Sequence, residues 1–317
     1  MKVLVTGGAG FIGSHVAERL LQRGDAVVAL DNFNDYYSPA RKRANAAILA
    51  TYPNARLVEA DIRDAAAIDA LFASEKFDRV VHLAAMGNVR YSIQHPSLYV
   101  DVNINGTQRL LEAARRHGTP HFVLASTSSV YGQTDKLPFV ETDPTDHPLA
   151  PYPATKKACE VMAYTYHVAY GLKCRVLRFF NVYGPRGRPD MMPYVFAERI
   201  SRGQAITLFD TGHPQRDWTY IDDTVDGVTA ALDADFDYEI FNLGRGQPVV
   251  MSEFLHVIEE LTGRTAIIRP APLPATEPTI TFSDTSKAGR MLNYHPSVSL
   301  VDGLARFWEW YKTNAER

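Results

Sequence analysis

Cysteine is almost absent from this chain of 317 residues; Cys159 and Cys174 are the only two. They form no C-x-x-C pair and are too few for a disulfide framework or a thiolate metal site, so no metal is expected. They read as buried, reduced thiols in a cytoplasmic protein. A basic excess is also missing. Lysine and arginine total 33 against 36 acidic residues, a net charge of −3, which implies no basic face and makes nucleic acid an unexpected partner. No apolar run approaches the roughly 18 residues of a membrane span, so no membrane partner is expected. The N-terminus enters its first strand at once, which leaves no stretch for a signal peptide. Internal repeats and low-complexity segments are lacking too. What is there is an ordinary globular composition, 22% charged and 46% hydrophobic, long enough for one large or two modest domains.

The most informative stretch is Lys2 to Asn32. Lys2-Val3-Leu4-Val5-Thr6 is a short apolar run with β-branched residues, the pattern of a buried strand. Gly7-Gly8-Ala9-Gly10-Phe11-Ile12-Gly13 follows without a gap. A helix then runs to Gly24, with Val16, Leu20 and Leu21 at helical spacing, and Ala26 to Leu30 is a second strand ending on Asp31. Strand, glycine turn, helix, strand and acid within about thirty residues is the pattern of a dinucleotide-binding turn. The absent side chains let the backbone approach a pyrophosphate, and the helix N-terminus offers it free N–H groups. Asp31 can accept hydrogen bonds from a ribose 2′-hydroxyl and would repel a 2′-phosphate, which favours NAD over NADP. Arg41, Lys42 and Arg43 are the opening for NADP, but they lie well past the strand end. Taken alone, the glycines would signal no more than a tight turn.

Further along, Arg56–Ala60 reads as a third strand ending at Asp61-Ile62, placed to meet an adenine by its amino edge and its face. The plain alternative is a helix N-cap by Asp61 or Asp64. Asp78–Ala85 reads as a fourth strand, with His82 taken as structural and small Ala84 and Ala85 leaving room for a cofactor. Val100–Arg116 is expected to be one long helix. His121–Ala125 is a fifth strand leading into the hydroxyl cluster Ser126-Thr127-Ser128-Ser129, which suits either loop capping or a sugar. After the proline-rich Leu137–Pro151, read as a surface loop, Tyr152 and Lys156 stand at i and i+4 on one helix face. Alone, a Y-x-x-x-K pair means little; one loop after a hydroxyl cluster in a dinucleotide fold, it points to chemistry. Lys173–Asn181 reads as a sixth strand, and Glu239–Leu243 as a seventh, at the edge. Between them, a helix is expected to start within Arg216–Asp223. Ser252 is expected to cap a helix to Thr262.

These motifs together resemble the extended short-chain dehydrogenase/reductase family of nucleotide-sugar epimerases and dehydratases. Three segments are most similar to its UDP-glucuronate 4-epimerases: Leu30–Tyr37, Val89-Arg90-Tyr91-Ser92 and Gly184–Met191. The resemblance covers essentially the whole chain. It implies an α/β fold: a Rossmann-type, doubly wound parallel sheet of about seven strands with a smaller C-terminal α/β substrate lobe. The expected division is a NAD-binding domain over 1–181, with returning segments near 217–246, and a substrate lobe over 182–216 and 247–317. It also implies a homodimer built on the helices near Val100–Arg116 and Tyr152–Tyr170. The cofactor contacts it implies are Gly7, Gly10, Phe11, Ile12, Gly13, Asp31, Asn32, Asp61, Ile62, Leu83, Ala84, Ala85, Asn103, Tyr152, Lys156 and Phe179. Two departures stand out. Asn181 replaces the threonine usual in glucuronate epimerases and matches the glucose/galactose enzymes. Leu273–Phe282 lacks the usual Pro-Gly-Asp, with Glu277 in place of its aspartate and Pro274 where some relatives carry a phosphate-binding arginine.

The chemistry implied is C4 epimerisation of a UDP-sugar through a transient 4-keto intermediate. Tyr152 acts as base with Lys156 lowering its pKa, and Thr127 and Ser128 hold the same oxygen. The dehydratase Asp-Glu pair and the decarboxylase glutamate are replaced by Ser128-Ser129, which leaves epimerisation. Substrate contacts are expected from Arg90, Thr127, Ser128, Ser129, Asn181, Arg188, Thr207, Phe209 and Arg216. Arg216 would pair with the diphosphate and Thr207 and Phe209 would line the base. Arg90 and Arg188 carry positive charge that suits a uronate; their plain alternative is solvated surface arginines. UDP-glucose or N-acetyl hexosamine epimerisation is the alternative substrate reading, and a non-catalytic NAD-binding regulator is the alternative of another class.

Overall fold

The computed structural model describes residues 1–314. Strands β1 (Lys2–Thr6), β2 (Ala26–Asp31), β3 (Ala55–Glu59), β4 (Arg79–His82), β5 (His121–Thr127) and β6 (Lys173–Phe179) build one sheet. The chain then forms β7 (Asn181–Tyr183), β8 (Ala205–Phe209) and β9 (Gln215–Tyr220). It returns with β10 (Tyr238–Leu243) and continues through β11 (Pro248–Val250), β12 (Ile267–Ala271) and β13 (Ile280–Thr281). The main sheet is seven-stranded and wholly parallel, in the order β10-β6-β5-β4-β1-β2-β3. Successive side chains of a strand face opposite sides. Val3 and Val5 accordingly enter one apolar layer with the helices Phe11–Gln22 and Ile221–Asp233. Leu4 enters another, with Gly106–Arg116 and Pro151–Tyr170. Burial on both faces explains why these strands read as unbroken apolar runs.

The chain runs outward from β1 to β3 and then crosses back to β4 on the other side of β1. Loops leaving the C-terminal ends of β1 and β4 therefore diverge and open a crevice there. Smaller sheets flank that opening: β9 pairs with β7, β11 and β13, and β12 pairs with β8.

Several local expectations are corrected. The helix expected from Val100 begins as a π-helical turn, Val100–Asn105, before regular helix at Gly106–Arg116. Its Asn103 is drawn inward by bonds to the backbone of Met86 and the hydroxyl of Thr155. Arg216–Tyr220 is strand, not the start of a helix, because β7, β11 and β13 supply pairing partners from elsewhere in the chain; helix starts at Ile221. Ser252 lies inside its helix, which begins at Met251. The sixth strand ends at Phe179, and Asn181 belongs to another sheet. Leu137–Pro151 is not wholly a surface loop, because Phe139 is buried against Tyr131 and Phe180.

Candidate active site

A single cleft of about 780 Å³ runs along the C-terminal edge of the main sheet into the smaller lobe. One end is built by the glycine turn. Gly7 has φ +66°, and a Cβ there would stand 2.8 Å from the Ala84 nitrogen. A Cβ on Gly13 would collide with the Gly7 carbonyl oxygen, so helix and turn close-pack only with glycine. The helix begins at Phe11 with Gly10 as N-cap and no side-chain cap, leaving its first N–H groups open to the cleft. Asp31 is buried, accepting the N–H of Ala9 at 3.2 Å and of Phe33 at 2.9 Å. Phe11, Ile12, Asn32, Ile62, Leu83, Ala84, Ala85 and Phe179 also line the cleft.

Two expected cofactor contacts lie outside this lining. Asp61 turns instead to Arg63 and Asn32, which bond both its oxygens. The Arg63 hydrogen bonds, working against burial, pull its carboxyl down to about 2. It is not a helix cap either; Asp64 caps Ala65–Glu75. Asn103 is fully buried and ties the π turn to Met86 and Thr155, a supporting role. Of the basic trio, Arg41 stacks on Tyr194 and Arg43 pairs with Glu59, whereas Lys42, which donates to Asn34, lines the cleft with Asp31.

Mid-cleft, Thr127 ends β5, and Ser128 and Ser129 begin the following turn. Ser129 N–H donates to the Thr127 hydroxyl at 3.2 Å. Opposite, Pro151 and Pro153 open the helix that carries Tyr152 and Lys156, and the Tyr152 N–H donates to Ser92 at 3.1 Å. Burial pushes the Tyr152 phenol up, while a hydrogen bond from Thr127 and the charge of Arg188 pull it back. Lys156 is 3% exposed, and burial pushes its ammonium down against the opposing charge of Glu160. One turn on, Glu160 accepts Arg178 at 2.8 Å and Ser126 at 2.6 Å, anchoring the helix to β5 and β6. His82 is buried between the hydroxyls of Thr6 and Thr107, and desolvation pushes it down to about 3.

The far end is cationic. Arg216 and Arg90 share one counter-ion, Glu277, at 3.1 and 3.0 Å. Arg90 also lies over the Phe209 ring at 4.6 Å, and Thr207 lines the same wall. Arg188 is no solvated surface arginine. It grips Asp190 through Nε at 3.0 Å and Nη2 at 2.8 Å, and lines the cleft beside Asn181. Asp190 further accepts Tyr36 and Asn88. Sequence reading passed over Asn88 and the roles of Tyr36 and Asp190, although Tyr36 and Asp190 lie within the segments that carry the resemblance.

The model of the NAD dependent epimerase/dehydratase family matches residues 3–244. The chain belongs to the NAD-dependent epimerase/dehydratase family. It is 44% identical to UDP-glucuronate 4-epimerase 3 of Arabidopsis thaliana, over 98% of this chain and 76% of that one. To the UDP-glucuronate 4-epimerase of Thermodesulfobacterium geofontis it is 42% identical, over 99% and 97%. A solved UDP-glucuronic acid 4-epimerase from Bacillus cereus, in complex with UDP-glucuronic acid and NAD, matches at TM-score 0.93 and 34% identity, over 99% of both chains. As an epimerase/dehydratase family member the chain fits its cofactor on its own geometry: a side-chain-free cradle at Gly7 and Gly13, open helix N–H groups, and a buried acid at Asp31 where a 2′-phosphate would be repelled.

Proposed function

We propose that the protein is an NAD-dependent epimerase that inverts C4 of UDP-glucuronate to give UDP-galacturonate through a transient 4-keto sugar. The observation that carries this is the position of Tyr152: it lines the middle of the cleft with Thr127, Lys156 and Arg188, between the glycine turn and the cationic end. Sequence relatives named as UDP-glucuronate 4-epimerases support the choice of sugar.

Bound NAD supplies a hydride acceptor for C4 and a positive ring charge. The chain's residues do the rest. Tyr152 takes the proton of the 4-hydroxyl and returns it after the sugar turns over. Lys156, kept nearly dry, holds its ammonium near the cofactor, and Thr127 and Ser128 steady the O4 charge. Ser128 and Ser129 lack the acid and base that elimination or decarboxylation would need, so the flat keto carbon is reduced again from its other face. Arg216, with Arg90, takes the diphosphate once Glu277 gives way, and Thr207 and Phe209 take the base. Arg188 meets the uronate carboxylate, with Ser129 and Asn181 adding neutral hydrogen bonds.

In this reading residues 1–181 with 217–246 hold the cofactor, and 182–216 with 247–317 hold the sugar nucleotide. Two free, buried thiols fit a cytoplasmic site of action. The exposed row Val161, Tyr164, Val168 on the Tyr152 helix fits a homodimer seam. No helix among the described residues is long and apolar enough to cross a membrane.

The test is incubation with UDP-glucuronate, UDP-glucose and UDP-N-acetylglucosamine, with products read by proton NMR. UDP-galacturonate should form fastest, and Tyr152→Phe should lose nearly all turnover while melting as the wild type does. A Tyr152→Phe variant that epimerises at wild-type rate would overturn the mechanism. Faster turnover of UDP-glucose would favour the second reading, a neutral-hexose epimerase, which Asn181 on the cleft wall supports.

A further inference from the structure

Asn88 stands at φ 79° and ψ 109°, in backbone space that costs a side chain energy and glycine little. Its amide is used at both ends. The oxygen accepts the N–H groups of Arg90 at 3.0 Å and Tyr91 at 3.1 Å, capping Val89–Gln94. The nitrogen donates to Asp190 at 3.0 Å. Two N–H donors on one side and a carboxylate on the other leave the amide only one orientation.

Asp190 is the hub of three loops. Its Oδ2 accepts Tyr36 at 2.9 Å, from the loop after β2, and Asn88, from the loop after β4. Both its oxygens accept Arg188, two residues before it. Burial works against the carboxylate, but the Arg188 guanidinium together with the hydrogen bonds from Asn88 and Tyr36 holds Asp190 below its usual range. With Nε and Nη2 spent on Asp190, Nη1 is the guanidinium nitrogen left over. It lies against Gly87, 2.5 Å from where a Cβ would stand. Arg188 can therefore reach this position only while its neighbour is glycine and Asp190 is held still. Asp190 alone would repel an acidic sugar; three donors spread its charge and make it a fixed aiming point.

We infer that Asn88 is a positioning residue for substrate selectivity: it anchors Asp190, which aims Arg188 at the acidic end of the sugar. This rests on the reading in which Arg188 meets a uronate carboxylate. The strained backbone is the structural cost of placing an amide, rather than a bare glycine, between helix cap and hub.

Two variants separate the hub from the cap. Asn88→Gly relaxes the backbone but removes all three side-chain bonds. Asn88→Asp tolerates the same φ and keeps the cap acceptor, yet loses the donor and sets a second carboxylate beside Asp190. Both are expected to raise KM for UDP-glucuronate about tenfold while kcat changes less than about threefold. The inhibition constant of UDP-glucose, which has no carboxylate, should stay within about twofold. Arg188→Ala is measured in parallel and should show the same selective loss. Asn88 variants with wild-type KM for UDP-glucuronate, beside an Arg188→Ala variant that loses it selectively, would overturn the inference and leave the reading of Arg188 intact. An Arg188→Ala variant that loses acidic and neutral sugars equally would overturn that reading, and the role of Asn88 with it.

Discussion

The proposed role of Tyr152 as a base near neutral pH is poorly served by burial, which pushes its phenol up. The charge of Arg188 counters this, and in the proposed mechanism the same guanidinium meets the sugar. Removing it takes away the positive charge that favours phenolate and leaves Asp190 uncompensated, and both changes raise the phenol's pKa. In Arg188→Ala the acidic limb of the kcat–pH profile should move up by about one unit, for acidic and neutral sugars alike, while only the acidic sugar loses affinity. A limb that stays in place would mean that the Arg188 charge does not act on Tyr152. The Tyr152-x-x-x-Lys156 pair was legible because four residues make one helical turn. The Arg188–Asp190 pair was legible only as nearby charges. Its neighbours Tyr36 and Asn88 lie 154 and 102 residues from Asp190 in the chain, beyond any local pattern.

At the scale of elements, the helix Pro151–Tyr170 has two working faces. Thr155, Lys156, Cys159, Glu160 and Ala163 are buried inward. Val161, Tyr164 and Val168 are 53%, 53% and 65% exposed outward, an apolar row along about two helical turns. That row is the seam expected of a homodimer, and a pair of carboxylates set into it would be desolvated without partners. Sedimentation should give twice 35.3 kDa for the wild type and 35.3 kDa for Val161→Asp/Val168→Asp. A wild-type monomer would remove the dimer from the account. The helix itself was legible from its period. The π turn in the neighbouring Val100–Asn105 was not, because no residue type encodes it. It follows from Asn103 being pulled toward Met86 and Thr155, and from Gly106 packing on Ile62.

For the whole molecule, three histidines tie stability to pH. Desolvation, aided by neighbouring cations, pushes His82 and His15 down to about 3 and His121 to about 4. In the unfolded chain each would protonate near pH 6.5. Their contribution to stability is therefore complete above about 6.5 and declines as pH falls through 4 toward 3, because the unfolded state takes up protons that the folded state refuses. Asp61, held down to about 2, adds a loss only below about pH 4. Tm should thus begin to fall between pH 6.5 and 5, with the His82 ring signals in NMR unchanged over that range. A flat Tm down to pH 5 would contradict these depressed values.

By itself the sequence determined what depends on near neighbours in the chain: the glycine turn, the buried strands, the acid at the end of β2, and the Tyr152–Lys156 face. Each is written within a few residues, since only glycine survives the close approach at Gly7 and Gly13, and strands covered on both faces must be apolar throughout. The tertiary structure decided the rest. It made Arg216–Tyr220 a strand by supplying three partner strands along its two edges. It bonded Asp61 to Arg63 and Asn32. It joined Arg90 to Arg216 through Glu277, and joined Tyr36, Asn88 and Arg188 through Asp190. Hydrogen bonds and ion pairs of this kind are satisfied by whichever group the fold brings near, and sequence distance carries no record of that.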